Sequence, residues 1–69
     1  MDRTAQAIGV KLKRIRAAKG FTQGEVAGAA KITTNYYARI ERGEATPKID
    51  VYHRIAKALH TSSSDIFPF

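Results

Sequence analysis

Cysteine is absent from this 69-residue chain. Without it there is neither a disulfide framework nor a thiolate metal site. Acidic residues are scarce: six Asp and Glu stand against twelve Lys and Arg, for a net charge of +6. Long apolar runs are missing too. None approaches the ~18 residues of a membrane span, and the opening MDRTAQAIG has no apolar h-region of a signal peptide. A cytoplasmic protein is therefore expected, and Met1 reads as a natural start. Large apolar side chains are few, because eleven of the hydrophobic residues are alanine. The length allows one small domain, 1–69, whose core supplies only ~3–5 kcal/mol of net stability. Dimerisation is one common remedy for so small a core.

The positive charge is present in excess and unevenly placed. Arg3, Lys11, Lys13, Arg14, Arg16 and Lys19 fall in the first 20 positions against Asp2 alone. Lys31, Arg39, Arg42 and Lys48 follow against Glu41 and Glu44. Such a balance favours a polyanionic partner, either nucleic acid or an anionic membrane surface. Taken alone, the charge is explained equally well by solubility.

Apolar spacing predicts an all-α chain of five short helices. From Thr4 to about Lys19, Ile8, Leu12 and Ile15 recur on one stripe, with Arg16 beside it. Gly20 is a natural left-handed stop, and Phe21 enters the core. Thr22 and Glu25 form a capping box, so a second helix starts at Gln23. Val26, Ala27 and Ala30 give it an inner face, while Gly24 and Gly28 weaken it by roughly 1 kcal/mol each. Lys31-Ile32 is a turn, and Thr33 caps a third helix, Thr34–Arg42, that stops at Gly43. The stretch from about 22 to 43 is thus two short helices joined by a tight turn, the layout of a helix-turn-helix. Thr46-Pro47 is expected to open the fourth helix, with Asp50 in its first turn. Ile49, Tyr52, Ile55, Ala56 and Leu59 form the expected inner face of that helix. A cap in Thr61–Asp65 leads to a last short turn through Phe67.

These segments, in order and at this spacing, resemble the lambda-repressor-like helix-turn-helix family, the Cro/repressor or Xre type. The resemblance covers about residues 8–67. It rests on the TQ before the second helix, the apolar spacing through the turn, the ARIERG that closes the third helix and the IAKAL of the fourth. It implies five helices, sequence-specific binding of double-stranded DNA, and a homodimer on a partly palindromic operator. It further implies that Gln23 holds a phosphate, that Thr34, Asn35 and Arg39 read bases, and that Tyr36 and Arg42 meet the backbone. Thr33, the cap beside them, belongs to the same DNA-binding set. Arg16 and Glu41 match a buried pair tying the first helix to the third. Three positions depart from the family pattern: Lys31 stands where the turn usually has Gly, Lys48 replaces a serine, which passes capping to Thr46, and Tyr52 replaces a leucine.

The residue types suit those roles. A helix amino terminus offers free N–H groups to a phosphate, and Gln23 adds a donor there. Asn pairs in bidentate fashion with adenine, Thr meets a thymine methyl, and Arg pairs with guanine. The plainer alternative is that these are polar surface positions, with Arg39 held by a neighbouring acid and Tyr36 simply surface. Tyr37, about 100° around the helix from Tyr36, is assigned to the core.

An enzyme is not expected. Nothing resembles a catalytic acid pair or a phosphate loop, and no cofactor or small-molecule effector is indicated. His53 and His60 lie about 10.5 Å apart along a continuous helix, too far to share a metal. A membrane-surface role is disfavoured because the first helix spends its apolar stripe on the core. The expected function is a transcriptional regulator whose third helix reads the major groove, of restriction–modification controller, antitoxin or phage-repressor type. The alternative is a helix-turn-helix used as a protein-interaction module in a coactivator or antitoxin complex. Ile66-Phe67-Pro68-Phe69 and the end of the fourth helix are the expected dimer surface.

Overall fold

A computed structural model describes residues 3–67. Among these the chain forms five α-helices: α1 (Thr4–Lys19), α2 (Gln23–Ala30), α3 (Thr34–Glu41), α4 (Ile49–Ala58) and α5 (Ser63–Ile66). Pro68 and Phe69, half of the expected dimer segment, lie outside the described residues.

The elements start and stop for local reasons. Gly20 ends α1 at φ 76°, where the Gly20 N–H donates to Ala17 O and the Phe21 N–H to Arg16 O, which closes the last carbonyls. The Thr22 Oγ1 accepts from the Glu25 N–H at 3.0 Å, and the Thr22 N–H donates to the Glu25 carboxylate at 2.8 Å. That reciprocal pair starts α2 despite its two glycines. Thr33 caps α3 by accepting from the Tyr36 N–H at 3.1 Å. At the last helix, the Asp65 carboxylate accepts from the Ser62 N–H at 3.2 Å and the Thr61 hydroxyl at 2.7 Å. These bonds hold the Asp65 carboxyl below its ordinary range.

The fourth helix begins later than its sequence implies. Its first turn hangs on the Lys48 carbonyl, which accepts from the Val51 and Tyr52 N–H groups at 3.0 and 3.3 Å. Lys48 is the N-cap, extended and without a side-chain bond, so neither Pro47 nor a Thr46 cap opens the helix. The proline ring biases Thr46 away from helical geometry. One consequence is that Ile49, expected inside, is 58% exposed at the rim. The rest of that stripe does face inward.

Leu12, Val26, Tyr37, Ile40, Ile55, Leu59 and Ile66 are fully buried and form one core. Ile66 therefore cannot serve a dimer surface. Phe67 is half-buried and meets the Tyr52 ring edge-on, with centroids 5.5 Å apart. α2 packs chiefly on α4 and α3, and α1 packs on α3. At the α1–α3 crossing the backbones nearly touch: a Cβ on Gly9 would lie 2.6 Å from Ile40 O and closer still to Glu41 O. Only glycine fits there. Lys19 ties the carboxyl end of α1 to that of α4, its Nζ donating to Leu59 O at 2.7 Å and to His60 O at 2.8 Å.

The turn after α2 keeps its left-handed geometry with lysine in place of glycine. Lys31 adopts φ 61°, and its N–H still donates to Gly28 O. The Cβ clash in this region costs roughly 1–2 kcal/mol. His60, past the end of α4, accepts the same strain at φ 56°.

Candidate nucleic-acid interface

Gln23 is the first residue of α2, and Glu41 is the last of α3. The fold brings the two together with Arg16 from α1. The Arg16 Nε donates to Glu41 Oε2 at 2.6 Å and its Nη2 to Oε1 at 3.3 Å, while Nη1 donates to Phe21 O at 2.9 Å. Gln23 Nε2 donates to Glu41 Oε1 at 3.0 Å. The Glu41 side chain is 3% exposed and that of Arg16 is 16% exposed. Burial pushes the Glu41 carboxyl upward, but the hydrogen bonds from Arg16 and Gln23 and the nearby charge of Arg16 outweigh it, and the net shift is downward. The Arg16 guanidinium is raised chiefly by its bond to Glu41. The Tyr37 hydroxyl is buried beside this pair without a hydrogen bond of good geometry. It is close enough to both charges to sense them, and burial followed by the Glu41 carboxylate drives its ionisation upward. One carboxylate thus joins three helices.

This cluster fixes where Gln23 points. The side-chain amide carries two N–H donors, and Glu41 takes one. The other makes no hydrogen bond among the described residues, at the amino end of α2.

Along the outer face of α3, Thr33, Thr34, Asn35 and Arg39 are exposed. Gly24 and Thr34 are neighbours: a Cβ on Gly24 would sit 3.7 Å from the Thr34 Oγ1. The start of α3 and the start of α2 therefore share one surface. Tyr36 is half-buried and packs partly on the core, so it sits nearer the core than its place on an outward face suggested. Arg39 makes no ion pair with an acid side chain among the described residues; its Nη2 donates at 3.4 Å to the Glu44 carbonyl. Arg42 pairs with the Glu44 carboxylate at 3.1 Å, both side chains about half exposed. That bond lowers the Glu44 carboxyl.

Two residues join this surface that sequence reasoning did not single out. Lys13 and Arg14 of α1 line a broad depression of about 960 Å³ together with Gln23, Glu41 and Arg42. Their outward position was readable from the α1 stripe. Their place beside Gln23 was not, because it depends on how α1 crosses α3 at Gly9. The result is a basic rim next to the polar row of α3.

Among the described residues no group of three or more His, Cys, Asp or Glu could hold a metal ion. The two histidines are engaged separately: His53 Nδ1 is 2.7 Å from the Ser63 hydroxyl, and the His60 ring lies 6.0 Å from that of Phe21. No helix among the described residues is long and apolar enough to cross a membrane.

Comparison with known proteins agrees with this fold. Residues 7–66 match the family model described as a helix-turn-helix domain. The chain is similar to the uncharacterized HTH-type transcriptional regulator YqaF of Bacillus subtilis, 48% identical over 48 residues. That match covers 70% of this chain and 63% of YqaF, so the chain spans less than two thirds of that relative. Among solved structures it resembles the clp gene regulator ClgR of Corynebacterium glutamicum, with a TM-score of 0.89 and 30% identity, covering 91% of this chain and 67% of ClgR. It also resembles the restriction-modification controller protein C.AhdI of Aeromonas hydrophila, with a TM-score of 0.88 and 25% identity, covering 91% of this chain and 96% of that protein. With a family model matched over most of its length and this likeness to solved regulators, the chain belongs to the helix-turn-helix family of DNA-binding regulators, in its lambda-repressor-like form.

Proposed function

We propose that residues 1–69 form one DNA-binding domain that regulates transcription in the cytoplasm by reading a double-stranded operator with α3. The observation that carries this reading is the amino end of α3: Thr33, Thr34 and Asn35 are exposed side by side on a helix whose other end is clamped in the core. Thr34 and Asn35 are in position to read base edges, and Arg39 extends the row by one turn. Gln23, at the helix amino terminus beside them, holds a backbone phosphate with its second N–H. Arg42, Lys13 and Arg14 supply the electrostatic attraction, and Tyr36 is the most recessed of the contacts. The reading assigns no catalytic residue and calls for no cofactor or metal.

The domain works as a homodimer, by the family resemblance and because its core is small. Two copies then place α3 in successive major grooves roughly 34 Å apart. Selection of binding sites from random duplexes tests all of this at once. A half-site repeated with dyad symmetry is expected. The Asn35→Ala variant should relax preference at one base position by about 1–3 kcal/mol. Affinity should fall steeply with salt as counterions leave the DNA. The competing reading, a helix-turn-helix that binds a protein, predicts no enriched sequence and no salt-dependent DNA binding.

A further inference from the structure

The two residues that carry backbone strain meet at one place. Lys31 and His60 are the non-glycine residues with left-handed backbone among the described residues, at φ 61° and 56°. One lies in the turn after α2 and the other beyond α4. Both line a single cleft of about 370 Å³, together with Ala29, Arg54, Lys57 and Ala58. Every polar side chain of that cleft is basic.

Basic residues at helix carboxyl ends often serve only to cover carbonyls and offset the helix dipole. Here the carbonyls are already covered, and of the cleft's own basic groups only the Arg54 Nε is taken up by them. Ala27 O and Gly28 O accept from the Ile32 and Lys31 N–H groups, and Ala30 O from the Arg54 Nε at 3.0 Å. Ala56 O and Lys57 O accept from the Thr61 and His60 N–H groups. Leu59 O and His60 O are taken by the Lys19 Nζ, which approaches from α1. Among the described residues the Lys31 and Lys57 ammonium groups make no hydrogen bond or ion pair of their own. Arg54 is held in place by Ala30 O and, more loosely, by the exposed Asp50 at 3.6 Å from its Nη1, which leaves the rest of its fork to donate. Strain kept at a non-glycine position points to a role for the side chain, and a glycine at 31 would relieve it at no cost in packing.

We propose that this cleft is an anion site for a phosphate group, held by Lys31, Arg54 and Lys57. It is distinct from the Gln23 site, which lies at the opposite end of α2, about 10 Å away along the helix axis. The phosphate is carried either by a free phosphate compound or by the backbone of bound DNA, and the two sources share this chemistry.

Thermal unfolding in inorganic phosphate, against sodium chloride at matched ionic strength, tests the site. Phosphate at about five times its Kd should raise Tm by about 4–8 °C over the chloride control. Lys57→Gln should remove most of that rise. Lys31→Gly should remove it too while raising Tm in chloride, since the strain is relieved, so the lost response cannot be a folding defect. Lys48→Gln, outside the cleft, should respond like the parent. Equal Tm in phosphate and chloride, or an undiminished response in both Lys31→Gly and Lys57→Gln, overturns the proposal. Binding to a short duplex of arbitrary sequence then separates the sources. If Lys57→Gln lowers the dependence of log K on log salt by about one counterion, the phosphate belongs to DNA. An unchanged slope together with a retained phosphate response in the parent assigns it to a free compound.

Discussion

Replacing Glu41 by alanine removes the carboxylate that links α1 and α2 to α3. The variant strands the Arg16 guanidinium, whose Nε and Nη2 lose their acceptors and which keeps only Phe21 O. It frees the Gln23 amide and removes the carboxylate beside the buried Tyr37 hydroxyl. Breaking a buried ion pair from one side costs roughly 3–5 kcal/mol, most of it from the charge left behind. Arg16 is 16% exposed, and partial hydration places the loss toward the lower part of that range. For a domain of this size each kcal/mol shifts Tm by about 4–8 °C, so Glu41→Ala should melt at least about 12 °C below the parent. The Arg42–Glu44 pair is the matched control, exposed on both sides. Glu44→Ala should change stability by less than about 1 kcal/mol. Circular dichroism melts of both variants, with urea titrations for the free energies, make the comparison. The double variant Arg16→Met, Glu41→Leu should regain much of the loss, because removing both charges together avoids the stranded one. Similar small losses in Glu41→Ala and Glu44→Ala, or a double variant no better than the single, would falsify the clamp.

Other expectations follow from the same contacts. Gly9→Ala should destabilise by about 1–3 kcal/mol or more despite the better helix propensity of alanine, since its Cβ meets the Ile40 and Glu41 carbonyls; a melt no lower than the parent's would contradict the crossing. Gly28 is helical with nothing within 4 Å of an added Cβ, so Gly28→Ala should raise stability by roughly 0.5–1 kcal/mol in urea titration. The Glu41 carboxyl is held below its ordinary value of 4.5 when folded. Its stabilising contribution is therefore complete above that value and is lost as pH falls through the folded one. Acid titrations monitored by circular dichroism should show this loss in the parent and a weaker acid dependence in Glu41→Gln.

The helices were legible because their punctuation is local. The Thr22–Glu25 box, the Thr33 cap and the glycines at 20 and 43 each act over four residues or fewer. The start of α4 was misplaced because Thr46-Pro47 reads as a helix opening, and the backbone conformation that delays the helix to Ile49 is not a matter of residue type. Ile49 keeps the correct period yet, as the first residue of the helix, lies exposed among the described residues, so periodicity alone placed it inside. Gly9 gave no sign, since a glycine within a good helical stripe says nothing about which backbone approaches it. Lys31 could be marked from its departure from the family pattern, but its convergence with His60 depends on α2 and α4 ending side by side.

The clamp at Glu41 also separates two kinds of information along one helix of eight residues. Tyr37, Ile40 and Glu41 face inward and decide how α3 is mounted, while Thr34, Asn35 and Arg39 face outward and touch little of the protein. New side chains written at the outer three positions would inherit the same mount, so, on the proposed function, the address could be rewritten while the domain that carries it stays folded.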